Sequence, residues 1–253
     1  MHLSLVAYGL LALAGFSAGL VDAIAGGGGI ISLPALLAVG LPPHLALGTN
    51  KLQAGLGTSM AAANYARRGL LVRAEVPLAA SCTAAGALAG AALVTQLPSL
   101  WLARVVPWLL LAIFVHVVRA PRFGEAERVA RIEARPFSIA SGLLLGSYDG
   151  FFGPGTGSFW TIAFVALRGF SLQRATAQTK AMNLTSNAVA LAWFAVRGDV
   201  AWRLGLAVAA ANVAGALVGS SLAIERGARL IRAFFLLAVG ATVMRLVWRT
   251  LVR

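Results

Sequence analysis

GFSAGLVDAIAGGGGIISLPALLAVGLPPHLALGTNKLQAG (Gly15–Gly55) and GLLLGSYDGFFGPGTGSFWTIAFVALRGFSLQRATAQTKAMN (Gly142–Asn183) are two versions of one passage, set near 128 residues apart. Asp22 falls on Asp149, the run Gly26-Gly27-Gly28-Gly29 on Gly153, Gly155 and Gly157, and Lys51 on Lys180. Two one-residue shifts lie between Asp22 and Lys51. After them Arg68-Gly69 meets Arg197-Gly198, and Gly86/Gly90 meets Gly215/Gly219, without further adjustment. A fixed period of this kind is duplication, and it governs how every other feature is read.

The medium around these repeats follows from composition. The chain of 253 residues is 59% hydrophobic and 11% charged, with a mean hydropathy of +0.84. A soluble domain carries about 25% charged residues, so this one lacks the charge to cover a water-facing surface. Val76–Ala103 and Leu204–Ile224 contain no charged residue. Spans of roughly 20 apolar residues match the hydrocarbon core of a bilayer. Lipid satisfies no backbone polar group, so such spans are helices and several of them make a bundle. The expected fold is therefore all-α: a polytopic transmembrane bundle of two homologous repeats, with eight to ten membrane segments and discontinuous glycine-rich helices. Leu3–Val21 followed by Ala23-Ile24-Ala25 has the outline of a signal peptide. Its leading Met1-His2 has no Lys or Arg, however, and the segment belongs to the repeat, so we read it as the first membrane helix.

The net charge of +13 falls in short loops between apolar spans. That is the pattern of an oriented multi-pass cell-membrane protein and not of one that binds nucleic acid. Cys82 stands alone, and His2, His44 and His116 show no ligand spacing, so neither a disulfide, a metal site nor another cofactor is expected.

Five apolar segments are expected in each half, near 3–22, 30–41, 46–66, 75–97 and 100–118, then near 137–149, 157–167, 175–196, 201–223 and 230–248. The first repeat spans 1–118 and the second 137–253. Between them lies a basic linker, 119–136, placed on the cytoplasmic side. The second segment of each half is short, because about 12 residues of helix cover only about 18 Å. If all five cross, the repeats are inverted; if the short one is re-entrant, they are parallel. Arg67, Arg68 and Arg73 in one half and Arg226, Arg229 and Arg232 in the next loop of the other favour inversion. Arg249 and Arg253 run against it.

Three features carry chemistry. The glycine runs interrupt helices at matched positions, since glycine costs about 1 kcal/mol and proline about 3 in a helix interior. Such breaks are the best sequence pointer to a transporter site, and the N–H groups they expose suit an anion. Gly27, Gly28, Gly155 and Gly157 are the candidates; tight helix packing is the structural alternative. Second, Lys51 and Lys180 are the only lysines and occupy equivalent positions. Each sits inside an apolar segment among amides: Asn50 and Gln53 beside one, Gln178 and Asn183 beside the other. An ionisable group at that depth is a functional hypothesis, with snorkelling to the interface as its alternative. Third, Asp22 and Asp149 precede the breaks, where they would pair with the lysines, relay protons or cap the backbone. Gly86/Gly90 and Gly215/Gly219 have the small-xxx-small spacing of close helix packing.

These passages resemble a known family. Gly19-Leu20-Val21-Asp22-Ala23-Ile24-Ala25-Gly26 with its following glycines, Leu33-Pro34-Ala35-Leu36 and Thr49-Asn50-Lys51-Leu52-Gln53 are similar to the TauE/SafE sulfite-exporter family. So are Asp149-Gly150-Phe151-Phe152-Gly153-Pro154-Gly155-Thr156-Gly157 and Ala175-Thr176-Ala177-Gln178-Thr179-Lys180 in the second half. The resemblance covers nearly the whole chain. It implies an all-helical inner-membrane carrier of sulfite, organosulfonates or related sulfur oxyanions; Asp22 and Asp149, separately, make protons a candidate coupling partner. An anion channel is the nearest rival. A membrane-embedded enzyme would need a nucleophile–base pair or metal cluster, and no Gly-x-Ser-x-Gly or His-Glu-x-x-His occurs. A non-transporting subunit would not need paired polar residues inside its helices. The sequence leaves the oligomeric state open, a homo-oligomer included.

Overall fold

The computed structural model describes residues 4–102, 104, 105, 108 and 127–251, with side chains described up to Arg226. The expected segment 100–118 and the first part of the linker, 119–126, lie mostly outside the described residues, as do the side chains of the expected segment 230–248. The described chain is helical: α1 (Leu5–Ala25), α2 (Gly29–Ala38), α3 (Pro43–Arg67), a 3-10 turn (Arg73–Glu75), α4 (Val76–Val94), α5 (Ala134–Phe151), α6 (Thr156–Arg168), α7 (Leu172–Val196) and α8 (Trp202–Leu251). Where the sequence suggests two segments, near 201–223 and 230–248, the backbone runs on as α8. The stretch between them holds Gly227 and no proline, whereas Pro98 stops the corresponding run in the first half. The part of α8 long and apolar enough to cross a membrane is Trp202–Arg226; Leu5–Ala25 and Arg73–Val94 meet the same test.

The largest interfaces join the halves. α1 lies on α8, and its counterpart α5 lies on α4. Small residues make these approaches possible: a methyl group added at Gly86 would meet the backbone of Leu143, and one at Gly215 the backbone of Phe16. These are the small-xxx-small positions.

Contact registers give the directions. Gly15 meets Val208, Gly19 meets Asn212 and Gly219 meets Leu20, so α1 and α8 run parallel. Thr49 bonds Ala201, Gln53 bonds Asn212 and Asn64 bonds Ser220, so α3 runs parallel to α8 too. Gly142 meets Cys82 and Gly150 meets Ala87, while Thr83 contacts Met182 and Trp193 bonds Thr95. Thus α4, α5 and α7 share a direction. Gly48 meets Phe194 whereas Gly55 meets Asn187, which makes α3 and α7 antiparallel. The equivalent pairs α1/α5, α3/α7 and α4/α8 therefore point opposite ways. Because α1 and α3 run alike, α2 must carry the chain back between them, and α6 does the same between α5 and α7.

Polar and apolar residues are sorted by this arrangement. α3 and α7 lie centrally and bury Asn50, Lys51, Gln53, Thr58, Gln178, Thr179, Lys180, Asn183, Ser186 and Asn187. The outer helices expose leucines instead, among them Leu10 and Leu13 on α1, Leu93 on α4 and Leu144 on α5. Apolar outside and polar inside is the arrangement a bilayer selects.

Candidate functional site

The site forms where the two glycine breaks touch. α1 ends at Gly26, whose φ of 71° carries the chain into a left-handed turn, and α2 starts from Gly28. In the second half Gly155, at φ 84°, opens α6. An L side chain rarely adopts either conformation. The breaks are in backbone contact: a methyl group on Gly157 would lie 2.6 Å from the Gly26 Cα, and one on Gly29 would meet Pro154 at 3.1 Å. Ser158 donates to the carbonyls of Ala25 (3.2 Å) and Gly26 (2.6 Å), so the start of α6 caps the end of α1. The N-termini of α2 and α6 lie at this junction, where the N–H groups of Ile30, Ile31, Thr156 and Ser158 donate to the carbonyls of Gly27, Gly28, Gly153 and Gly155.

The lysines cross between the repeats. Lys51 on α3 reaches Asp149 at the end of α5, with Nζ 2.6 Å from Oδ1, and also donates to the Asp149 carbonyl. Lys180 on α7 reaches Asp22 at the end of α1, 3.1 Å from Oδ2, and donates to the Asp22 carbonyl. Each ammonium thus neutralises a carboxylate and caps the carbonyl end of a broken helix, where the dipole is negative. The aspartates are held by lysines and hydroxyls, not by backbone N–H groups, so local capping is not their role in these contacts. Thr58 donates to Asp22 Oδ2 at 3.4 Å, and Ser186 donates to Asp149 Oδ2.

The amides divide. Asn50 accepts from Ser32 Oγ (2.6 Å) and from Gln53 Nε2 (2.8 Å), and Asn212 donates to Gln53. Asn183 lies beside Gly157, and its Oδ1 is buried with no hydrogen-bond partner among the described residues. Gln178 is placed elsewhere: both ends of its amide bond the backbone of Val72, so it ties down the loop before the 3-10 turn. Gly27 and Gly28 line the turn into α2, where the Ile30 N–H donates to the Gly27 carbonyl.

Ser32, Thr58, Thr161, Ser186 and Asn212 escaped sequence reasoning. A signal for some of them existed. Ser32 and Asn50 lie 129 residues before Thr161 and Thr179, and both pairs bond, the first hydroxyl to amide oxygen and the second hydroxyl to hydroxyl at 3.1 Å. Applying the repeat period to every polar residue in an apolar segment would have found them.

The family described as Sulfite exporter TauE/SafE matches residues 11–246. The chain belongs to that family. Within it, the chain is similar to the "probable membrane transporter protein ORF9" of a Sinorhizobium species, 42% identical over 95% of this chain and 94% of the relative. It is also similar to the "probable membrane transporter protein YfcA" of Escherichia coli K12, 40% identical over 88% and 83%. A "probable membrane transporter protein" of Haemophilus influenzae is 38% identical over 86% of each chain. No solved structure matches. This TauE/SafE protein is thus a multi-pass membrane protein of a transporter family, not an enzyme.

Proposed function

We propose that this protein carries a small anion, a sulfite, organosulfonate or related sulfur oxyanion, by alternating access around the junction of its repeats 1–118 and 137–253, which the linker 119–136 joins. The observation that carries the reading is the crossed pair of buried lysines at touching helix breaks. A compact ammonium beside helix N-termini, whose dipoles favour negative charge, is a site for an oxyanion. Asn50, Gln53 and Asn183, with the backbone at Gly27, Gly28, Gly155 and Gly157, complete the set, while Asp22 and Asp149 hold the lysines in place. Because each broken helix is capped by a lysine from the other repeat, a change of partner at such a lysine alters how the halves meet. That is the link alternating access requires.

Orientation follows from charge. Arg67, Arg68 and Arg73, the linker tail with Arg128, Arg131 and Arg135, and Arg168 and Arg174 gather at one end of the bundle, tied together by the Arg168–Glu75 pair at 2.5 Å. The opposite end holds Arg197 and Arg203 beside Asp199. The more basic end faces the cytoplasm.

Uptake of radiolabelled sulfite into proteoliposomes, with Lys51→Ala and Lys180→Ala in parallel, tests the proposal. Flux in the wild type and its loss in both variants is the expected result. Unchanged flux in both variants would overturn it.

A further inference from the structure

The two Lys–Asp pairs are equivalent by repeat but not by environment. Asp149 is closed: its side chain is 5% exposed and both carboxylate oxygens are occupied, Oδ1 by Lys51 and Oδ2 by the Ser186 hydroxyl. Asp22 is open: its side chain is 20% exposed, Lys180 and Thr58 both meet Oδ2 at longer range, and Oδ1 has no hydrogen-bond donor among the described residues. The sequence holds the cause. Ser186 lies 129 residues after Gly57, the spacing that separates the two lysines, so the hydroxyl that closes one pair is absent from the other. Nor is that position free to vary, since a methyl group on Gly57 would sit 1.7 Å from Asn212 Oδ1.

Resting on the anion-carrier reading, we propose that Asp22–Lys180 is the loading site, where one proton and one anion enter together, and that Asp149–Lys51 is a fixed clasp. The balance is simple. A proton binds an Asp22 carboxylate oxygen and cancels its charge. Lys180 stays an ammonium and takes the anion as its new counter-ion. On release the anion leaves, the proton leaves Asp22 and the ion pair re-forms. No net charge moves when the anion carries one negative charge. Among the described residues, the titratable groups facing Asp22 are Lys180 from α7 and Tyr65 from α3, whose hydroxyl donates to the Ala23 carbonyl at 2.9 Å. The groups that α2, α6 and α8 bring to this end of α1 are uncharged: Gly28, Ser158 and Asn212. An exchanging proton therefore has Asp22 as its one carboxylate there. Lys180 fits the oxyanion, with Asn183 one turn further along α7, whose Nδ2 group can donate to it.

A membrane-permeant carbodiimide, which modifies protonatable carboxyl groups in lipid, tests the assignment without substrate. Mass spectrometry of the labelled wild type is expected to show Asp22 modified at least about tenfold faster than Asp149. Equal rates, or Asp149 ahead, would overturn the proposal. In proteoliposomes, a pH gradient is expected to drive sulfite accumulation in the wild type and to lose that effect in Asp22→Asn. An undiminished response in Asp22→Asn would also overturn it. If the wild type moves no sulfite, the carrier reading is what fails, and the labelling ratio still decides between an open and a closed aspartate.

Discussion

The Lys51–Asp149 and Lys180–Asp22 pairs occupy matching positions in the two halves and differ in closure. One is 2.6 Å long, buried and joined by a serine; the other is 3.1 Å long, with Lys180 buried, Asp22 partly exposed and a distant threonine. The same charges stand at the ends of both broken helices, and single neighbouring positions, Ser186 in one case and Gly57 in the other, give them different accessibility. A buried charge is tolerable only while its partner stays, so the closed pair is suited to hold the bundle and the open pair to exchange partners.

Substitutions that break the contrast should rank by how completely each charge is enclosed. Lys51→Ala leaves Asp149 as an uncompensated buried carboxylate and is expected to cost about 3–5 kcal/mol. Thermal unfolding in detergent reads this, and the neutral pair Lys51→Ala with Asp149→Ala should recover part of the loss. Ser186→Ala removes a hydrogen bond to a charged group and should cost about 1.5–3 kcal/mol. It should also open Asp149 to carbodiimide, making the second pair resemble the first. Asn212→Ala cuts the bond to Gln53 and should cost about 1 kcal/mol in the same unfolding measurement. Thr58→Val should be the mildest, within about 0.5 kcal/mol, because its hydroxyl sits 3.4 Å from a carboxylate that also meets solvent. If Thr58→Val proved as costly as Ser186→Ala, the two pairs would be alike after all.

Much of this was legible in the residues. Apolar runs such as Val76–Ala103 can only be membrane helices, and the repeated glycines of Gly26–Gly29 and Gly153–Gly157 placed the breaks where α1 and α5 end. The lone lysines marked the site because no other lysine competes with them. What was not legible was the crossing. Sequence places Asp22 and Lys51 in one repeat, and only the packing of α1 on α8 and α5 on α4 hands each aspartate to the other repeat's lysine. Gln178 shows the opposite failure. It lies two residues before Lys180, but two positions along a helix turn a side chain about 200° away, and it faces Val72. The continuity of α8 was missed because a charged stretch with one glycine looks like a loop, whereas helix propensity alone does not stop there.

The central claim is that an anion takes Lys180 as its counter-ion. Calorimetric titration of sulfite into the purified protein tests it most directly, with Lys180→Ala under the same conditions. The account predicts binding to the wild type and a loss of at least about tenfold in affinity in the variant, close to 1.4 kcal/mol. Equal affinity in the two proteins would contradict it.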